Sequence, residues 1–263
     1  MNGYWAIFQM RIKVLFQYRA AAVAAMMAQL FWGILMTMIF RAFFSSTSNP
    51  EPITLSQSIT FIWLGQALLQ LLPWTIDREL EAQIKNGNVV YELVRPLDLY
   101  ALWFVRSMSL RIIPTLMRCV PIFLVAGLFF DLEPPVSWGA GGIFCLSIIC
   151  AVFLSSAITT LVLISLFWTL SGEGIQRLLP HLSLFLSGVS LPLPLFPQWM
   201  QLFLSIQPFR GIMDIPCRFY TGVIPVAHAW KYIGFQLFWI AILVWFGQFL
   251  MKRATHRFVI QGG

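Results

Sequence analysis

The sequence predicts an all-α polytopic membrane protein with six transmembrane helices. Three observations carry that reading. The composition is 59% hydrophobic and 16% aromatic but only 10% charged, with a mean hydropathy of +0.80. A soluble domain of 263 residues cannot hide that much apolar surface, so the bilayer is the solvent. Apolar runs of spanning length recur along the chain, and a charge-bearing stretch from Asp77 to Leu99 interrupts them. The 17 basic against 10 acidic residues fit Lys and Arg held on the cytoplasmic side, and make nucleic acid a poor partner.

Taken in order, residues 4–19 form an amphipathic pattern. Trp5, Phe8, Ile12 and Leu15 recur at helical spacing while Gln9, Lys13 and Gln17 fall four apart on another face, as in a helix lying in the membrane interface; the alternative is an extension of the first span. Residues 20–40 are the first span, interrupted only by Gln29 and Thr37. Ser45 to Pro52, rich in Ser, Thr, Asn and Pro, is an outside loop. Residues 59–74 are the second span, with Gln66, Gln70 and a Pro73 expected to kink its inner end.

Asp77 to Lys85 predicts a short helix, with acidic residues in its first turn and Lys85 in its last, matching the helix dipole. Asn86-Gly87 stops it, and Val89 to Val94 can form a second short turn before Arg95-Pro96. Two readings fit this bend: a docking surface for a soluble partner, or a plain solvated loop.

The third span falls within 104–130 and carries three basic residues. Arg106 and Arg111 are expected to snorkel to the inner surface. Arg118 lies deeper, between Pro114 and Pro121, where a charge is costly unless it faces protein or water. It is a functional candidate; the bland alternative is an arginine that reaches the headgroups or pairs within the bundle. Residues 138–170 are the fourth span and 178–193 a short fifth, broken by Pro180 and Gly188. Across 194–225 repeated prolines cut the chain into half-span pieces, which fit a re-entrant outer hairpin. Residues 232–251 are the last span. The distribution of Lys and Arg places both termini in the cytoplasm, together with the Asp77–Leu99 bend.

Cys119, Cys145, Cys150 and Cys217 show no metal-ligand or disulfide spacing, and His181, His228 and His256 stand alone. No removable signal peptide is expected. No phosphate loop, zinc-protease motif or nucleophile elbow is present, so no catalytic, cofactor or metal residue is assigned. All acidic residues can lie outside the hydrocarbon, which argues against an ion-coupled carrier.

Four features together resemble the membrane subunits of ABC-2-type exporters whose ATPase is a separate chain. They are the amphipathic N-terminal helix, KNGNVVYELVRPLDLY from Lys85 to Tyr100, FPQWMQLFLSIQPF from Phe196 to Phe209, and the order of six spans. The resemblance covers nearly all of residues 1–263 as a single transmembrane permease domain. It implies a type V exporter fold in the bacterial inner membrane, with two permease chains, identical or different, meeting in the bilayer. Each would engage one subunit of an ABC ATPase dimer through a coupling helix between spans two and three. ATP and Mg2+ would bind in that partner, and no cofactor in this chain. The implied coupling residues are Glu79, Glu81, Lys85, Gly87, Tyr91, Glu92, Arg95 and Pro96. The implied substrates are amphipathic or cationic drugs, lipids or peptides. Candidate pathway residues are Phe31, Trp32, Met36, Phe61, Trp63, Arg118, Phe185 and Phe196, although packing or lipid contact is the commoner role for such side chains. The alternatives are a membrane-embedded scaffold or enzyme whose bend docks another protein, and an ion-coupled carrier.

Overall fold

A computed structural model of the chain describes residues 3–16, 19–46, 53–93, 97–130, 132–169 and 173–261. All regular structure in them is helical. The helices are α1 (Gly3–Phe16), α2 (Arg19–Ser46), α3 (Leu55–Ala67), α4 (Arg78–Lys85), α5 (Val90–Leu93), α6 (Leu99–Phe129), α7 (Trp138–Thr169), α8 (Glu173–Leu186), α9 (Gln198–Ile206), α10 (Asp214–Tyr220) and α11 (Ala229–Gln261).

Four of these helices, among the described residues, are long and apolar enough to cross a membrane: α2, α6, α7 and α11. The protein is therefore a multi-pass helical membrane protein. The other two expected spans are shorter than sequence suggested. α3 ends at Ala67, and a 3-10 turn at Leu69–Leu71 and Pro73 follow it. At 1.5 Å per residue its 13 residues reach about 20 Å, less than a hydrocarbon core. Its last ten positions, Ser58 to Ala67, are all buried, so the break beyond them is shielded by protein. α8 starts at Glu173 and ends at Leu186, because Gly188 turns the chain with φ +86°. The apolar runs were real, but local breakers divide them.

α7 is the axis of the bundle, with 78% of its most apolar window buried against 11% for α11. One end of the bundle is a cluster of Leu80, Ile84, Tyr100, Trp103, Leu163 and Met251, onto which Tyr4 and Ile7 pack. The starts of α1 and α6, helix α4 and the later part of α11 thus meet at the same end. Tyr4 fixes α1 there: its hydroxyl accepts the Asp98 N–H at 3.0 Å. At the opposite end, Ile215, Phe219 and Ile224 pack with Ile143 of α7 and Tyr232 of α11.

The proline-rich region forms α9, α10 and intervening 3-10 turns. α9 presents Trp199, Leu202 and Phe203 outward, whereas α10 is almost wholly buried. Gln236 stitches this region to the long helices. Its amide N–H donates to the Gly211 and Ser147 carbonyls, and its oxygen accepts from Ser147 Oγ. Gly211 lies against Leu154, midway along α7. Asp214 is fully buried between Arg210 and Arg218, each 3.4 Å away.

Candidate functional site

The bend between α3 and α6 is built from local signals. Asp77 caps α4: its Oδ1 accepts the N–H groups of Glu79 and Leu80 at 3.0 and 3.3 Å. Asn86 closes the helix and Gly87 turns with φ +73°, a conformation that suits glycine. Leu80 and Ile84 face the bundle and are buried.

Two arginines of α6 then lock the bend in place. Arg106 Nε meets Asp77 Oδ2 at 2.8 Å, Nη2 meets Glu79 Oε2 at 3.1 Å, and Nη1 lies 3.9 Å from Glu92 Oε1. Arg106, Asp77 and Glu92 are 5%, 3% and 4% exposed at their side chains. Arg111 is fully buried; its Nη1 donates to Thr75 Oγ1 at 2.9 Å, and its Nη2 donates to the Thr75 carbonyl and to Thr159 Oγ1 of α7. Neither arginine snorkels, contrary to the sequence expectation. Each finds acceptors inside the protein, which a charge near the membrane needs more than it needs the headgroups.

The candidate coupling residues therefore divide. Glu92 faces inward to Arg106. Glu81 and Lys85 pair along α4 at 2.8 Å, and Gln176 of α8 donates to Glu81 at 2.9 Å. Glu79 and Gly87 are exposed, and Tyr91 is 75% exposed beside half-exposed Val90. Arg95 and Pro96 lie outside the described residues.

Glu81 carries a pH dependence. Burial raises its carboxyl pKa, but hydrogen bonds from Lys85 and Gln176 and the charges of Lys85 and Arg78 outweigh that, leaving it lowered. The folded value is below the unfolded one, so the α4–α8 contact is at full strength above the ordinary carboxylate range. It is lost as pH falls through the lowered value. Protection factors of the α8 amides, taken against the intrinsic exchange rate at each pH, are expected to fall on acidification in the native chain and to lose that response in Glu81→Gln.

Three residues before Asp77, the chain leaves the bend at Trp74, which lines a cavity of about 570 Å³. α2 contributes Ala25, Ala28, Gln29, Trp32 and Met36; α3 and the turn after it contribute Gln66, Leu69 and Gln70. Arg118 of α6 and Leu184 of α8 complete the wall, with Val189 and Ser190. The volume is that of a small-molecule site, mostly apolar with a few converging polar groups.

Of the candidate pathway residues, the cavity gathers Trp32, Met36 and Arg118. Phe61 and Trp63 are core packing, at 3% and 1% exposure. Phe31 faces outward, and Phe185 packs edge-on against Phe196 beside α9. Sequence reading noted Gln29, Gln66 and Gln70 only as polar interruptions. Three carboxamides within two apolar runs were the available signal.

A multi-pass helical protein with a half-open, ligand-sized cleft between its helices, and a charged bend clamped next to it in the chain, has the build of a membrane permease. The family profile described as "ABC-2 family transporter protein" matches residues 30–262, and the chain belongs to that family as an ABC-2-type permease. Permeases of this family generally work with an ABC ATPase. No curated protein and no solved structure matches the chain significantly.

Proposed function

We propose that this chain is the membrane subunit of an ATP-driven exporter in the bacterial inner membrane. It forms the substrate route with a second permease chain and takes its motion from a separate ATPase that holds ATP and Mg2+. The observation that carries this reading is the short covalent path from bend to cavity. Asp77 is anchored to Arg106, Thr75 is pinned by Arg111 to α6 and α7, and Trp74, next in the chain, lines the cavity. A push on α4–α5 cannot be absorbed by a loose linker; it must carry Trp74 and α6 together and so move that side of the cavity relative to α2.

In this reading α4–α5 is the coupling element, and its exposed edge at Val90 and Tyr91 is the face offered to the ATPase. The charged residues that point inward make the element stiff. Those that point outward, Glu79 and Lys85, add charge-assisted contacts at the rim. Both chain ends then lie in the cytoplasm with the bend.

The test is copurification and coupled hydrolysis. An ABC ATPase is expected to accompany the affinity-tagged chain, and Tyr91→Ala is expected to cut its recovery by about tenfold, as loss of an aromatic anchor does at interfaces. Membrane insertion should be unchanged. Transport that proceeds without any ATPase, driven by an ion gradient, would instead favour the carrier reading.

A further inference from the structure

Two polar side chains of the cavity, Gln29 and Arg118, are poorly satisfied by the protein itself. Gln29 is 5% exposed, yet neither its amide nitrogen nor its oxygen has a partner among the described residues. Arg118 Nε is likewise without one, and Arg118 pairs with no carboxylate among the described residues. Among the described residues, no Asp or Glu lines the cavity. A guanidinium and a buried carboxamide thus line a space that they share with Gln66, Gln70 and an apolar wall of Trp32, Met36, Trp74 and Leu184.

This contrasts with the other buried or half-buried arginines of the bundle. Arg106 is met by Asp77, Glu79 and Glu92; Arg111 by three protein oxygens; Arg210 and Arg218 by Asp214. The Nε of Arg111, Arg210 and Arg218 lacks a partner as well, but their Nη groups have acceptors, whereas among the described residues Arg118 has none. A buried polar group without a partner is costly, and a charge more so, unless a ligand provides what the protein withholds.

We infer that the cavity is a site for an amphipathic anion, with a carboxylate or phosphate headgroup on Arg118 and Gln29 and an apolar tail among the tryptophans and Met36. This deepens the proposed function by naming the substrate class, and it rests on reading the cavity as the substrate site. A cationic amphiphile is disfavoured: it would meet a like charge in a low-dielectric wall with no counter-charge lining it. The headgroup gains charge-assisted hydrogen bonds that a neutral alcohol of the same length makes only weakly.

The experiment uses the full chain in phosphatidylcholine nanodiscs, titrated with radiolabelled dodecanoate and corrected for uptake by empty discs. Saturable binding is expected, displaced by dodecyl phosphate and not by dodecylammonium. Arg118→Gln is expected to weaken it by about tenfold or more, the scale of one charge-assisted pair, while Arg118→Lys retains most of it. Unfolding of ligand-free Arg118→Gln should occur at or above the native temperature, since the variant removes an uncompensated charge. Should that variant fail to insert, Gln29→Leu keeps the cation and is expected to show a smaller loss. Discs containing phosphatidylglycerol separate two sources of the anion. Weaker dodecanoate binding there points to a lipid headgroup, and unchanged binding to a free amphiphile. Equal displacement by dodecylammonium, binding unaltered in Arg118→Gln, or no saturable binding would overturn the inference. The assay needs no ATPase, so its failure leaves the export reading standing, and an ATPase that does not copurify leaves this result intact.

Discussion

Arg106→Met is expected to destabilise the chain by about 3–5 kcal/mol, the cost of breaking a buried ion pair from one side. Methionine fills much of the same volume, so the loss is electrostatic. Asp77 and Glu92, at 3% and 4% exposure, lose the cation they share with Glu79. By contrast, a helix i,i+4 pair such as Lys85 with Glu81 contributes about 0.3–0.5 kcal/mol. Asp77 also allows the charge to be separated from the helix cap. Its Oδ1 caps α4 while Oδ2 takes Arg106. Asp77→Asn keeps a good cap and removes only the charge. Thermal unfolding of the two single variants and the double should therefore be non-additive by about 1 kcal/mol or more. If the two losses simply add, Arg106 is not the clamp. On the proposed function, Arg106→Met also leaves an assembled complex that hydrolyses ATP without moving substrate.

The bend was legible because its signals are local. An Asp before a charged helix, Lys85 at its end and Asn86-Gly87 beyond it specify a capped turn whatever surrounds them. Which side of the bend faces inward was not legible. Glu92 and Tyr91 are neighbours in sequence, yet one is buried on Arg106 and the other lies open, and only the position of α6 decides this. The same holds for Arg106 and Arg111. A basic residue near the end of an apolar run reads as snorkelling unless one knows that Asp77 and Thr75 have folded back onto it. The long spans α2, α6, α7 and α11 were recoverable from apolar length alone. The short ones were overestimated, since hydropathy registers Leu68 to Leu72 and Leu191 to Leu193 as apolar regardless of the turns that end α3 and α8. The cavity lay furthest from view. Gln29 shares a cavity with Gln66 and Gln70 only because α2 and α3 pack together, and a glycine, Gly33, lies at that contact.

Gly33→Leu is expected to cost about 1–3 kcal/mol through overpacking and to spoil the cavity as well. A Cβ at Gly33 would lie 2.8 Å from Trp63 Cζ3 and 2.9 Å from Cη2, closer than real side chains approach. Trp63 cannot swing aside: it is 1% exposed and its ring centroid is 4.6 Å from that of Phe130. The strain must move α2 away from α3. Gln29 and Met36 sit four residues before and three after Gly33, on the same helix face, so they move with it. The α2 wall then draws back from Gln66 and Gln70, and dodecanoate binding falls although Arg118 is untouched. Gly33→Ala, which adds only the Cβ, should lie between. The decisive comparison is with Trp63→Phe, because phenylalanine lacks both of the atoms that clash. Alone, Trp63→Phe leaves a void and destabilises. Combined with Gly33→Leu it should restore part of the lost unfolding temperature and of the binding, making the double variant more stable than Gly33→Leu alone. A double variant that is simply the sum of its parts would mean that the glycine is there for another reason, and that the spacing of α2 and α3 is set elsewhere.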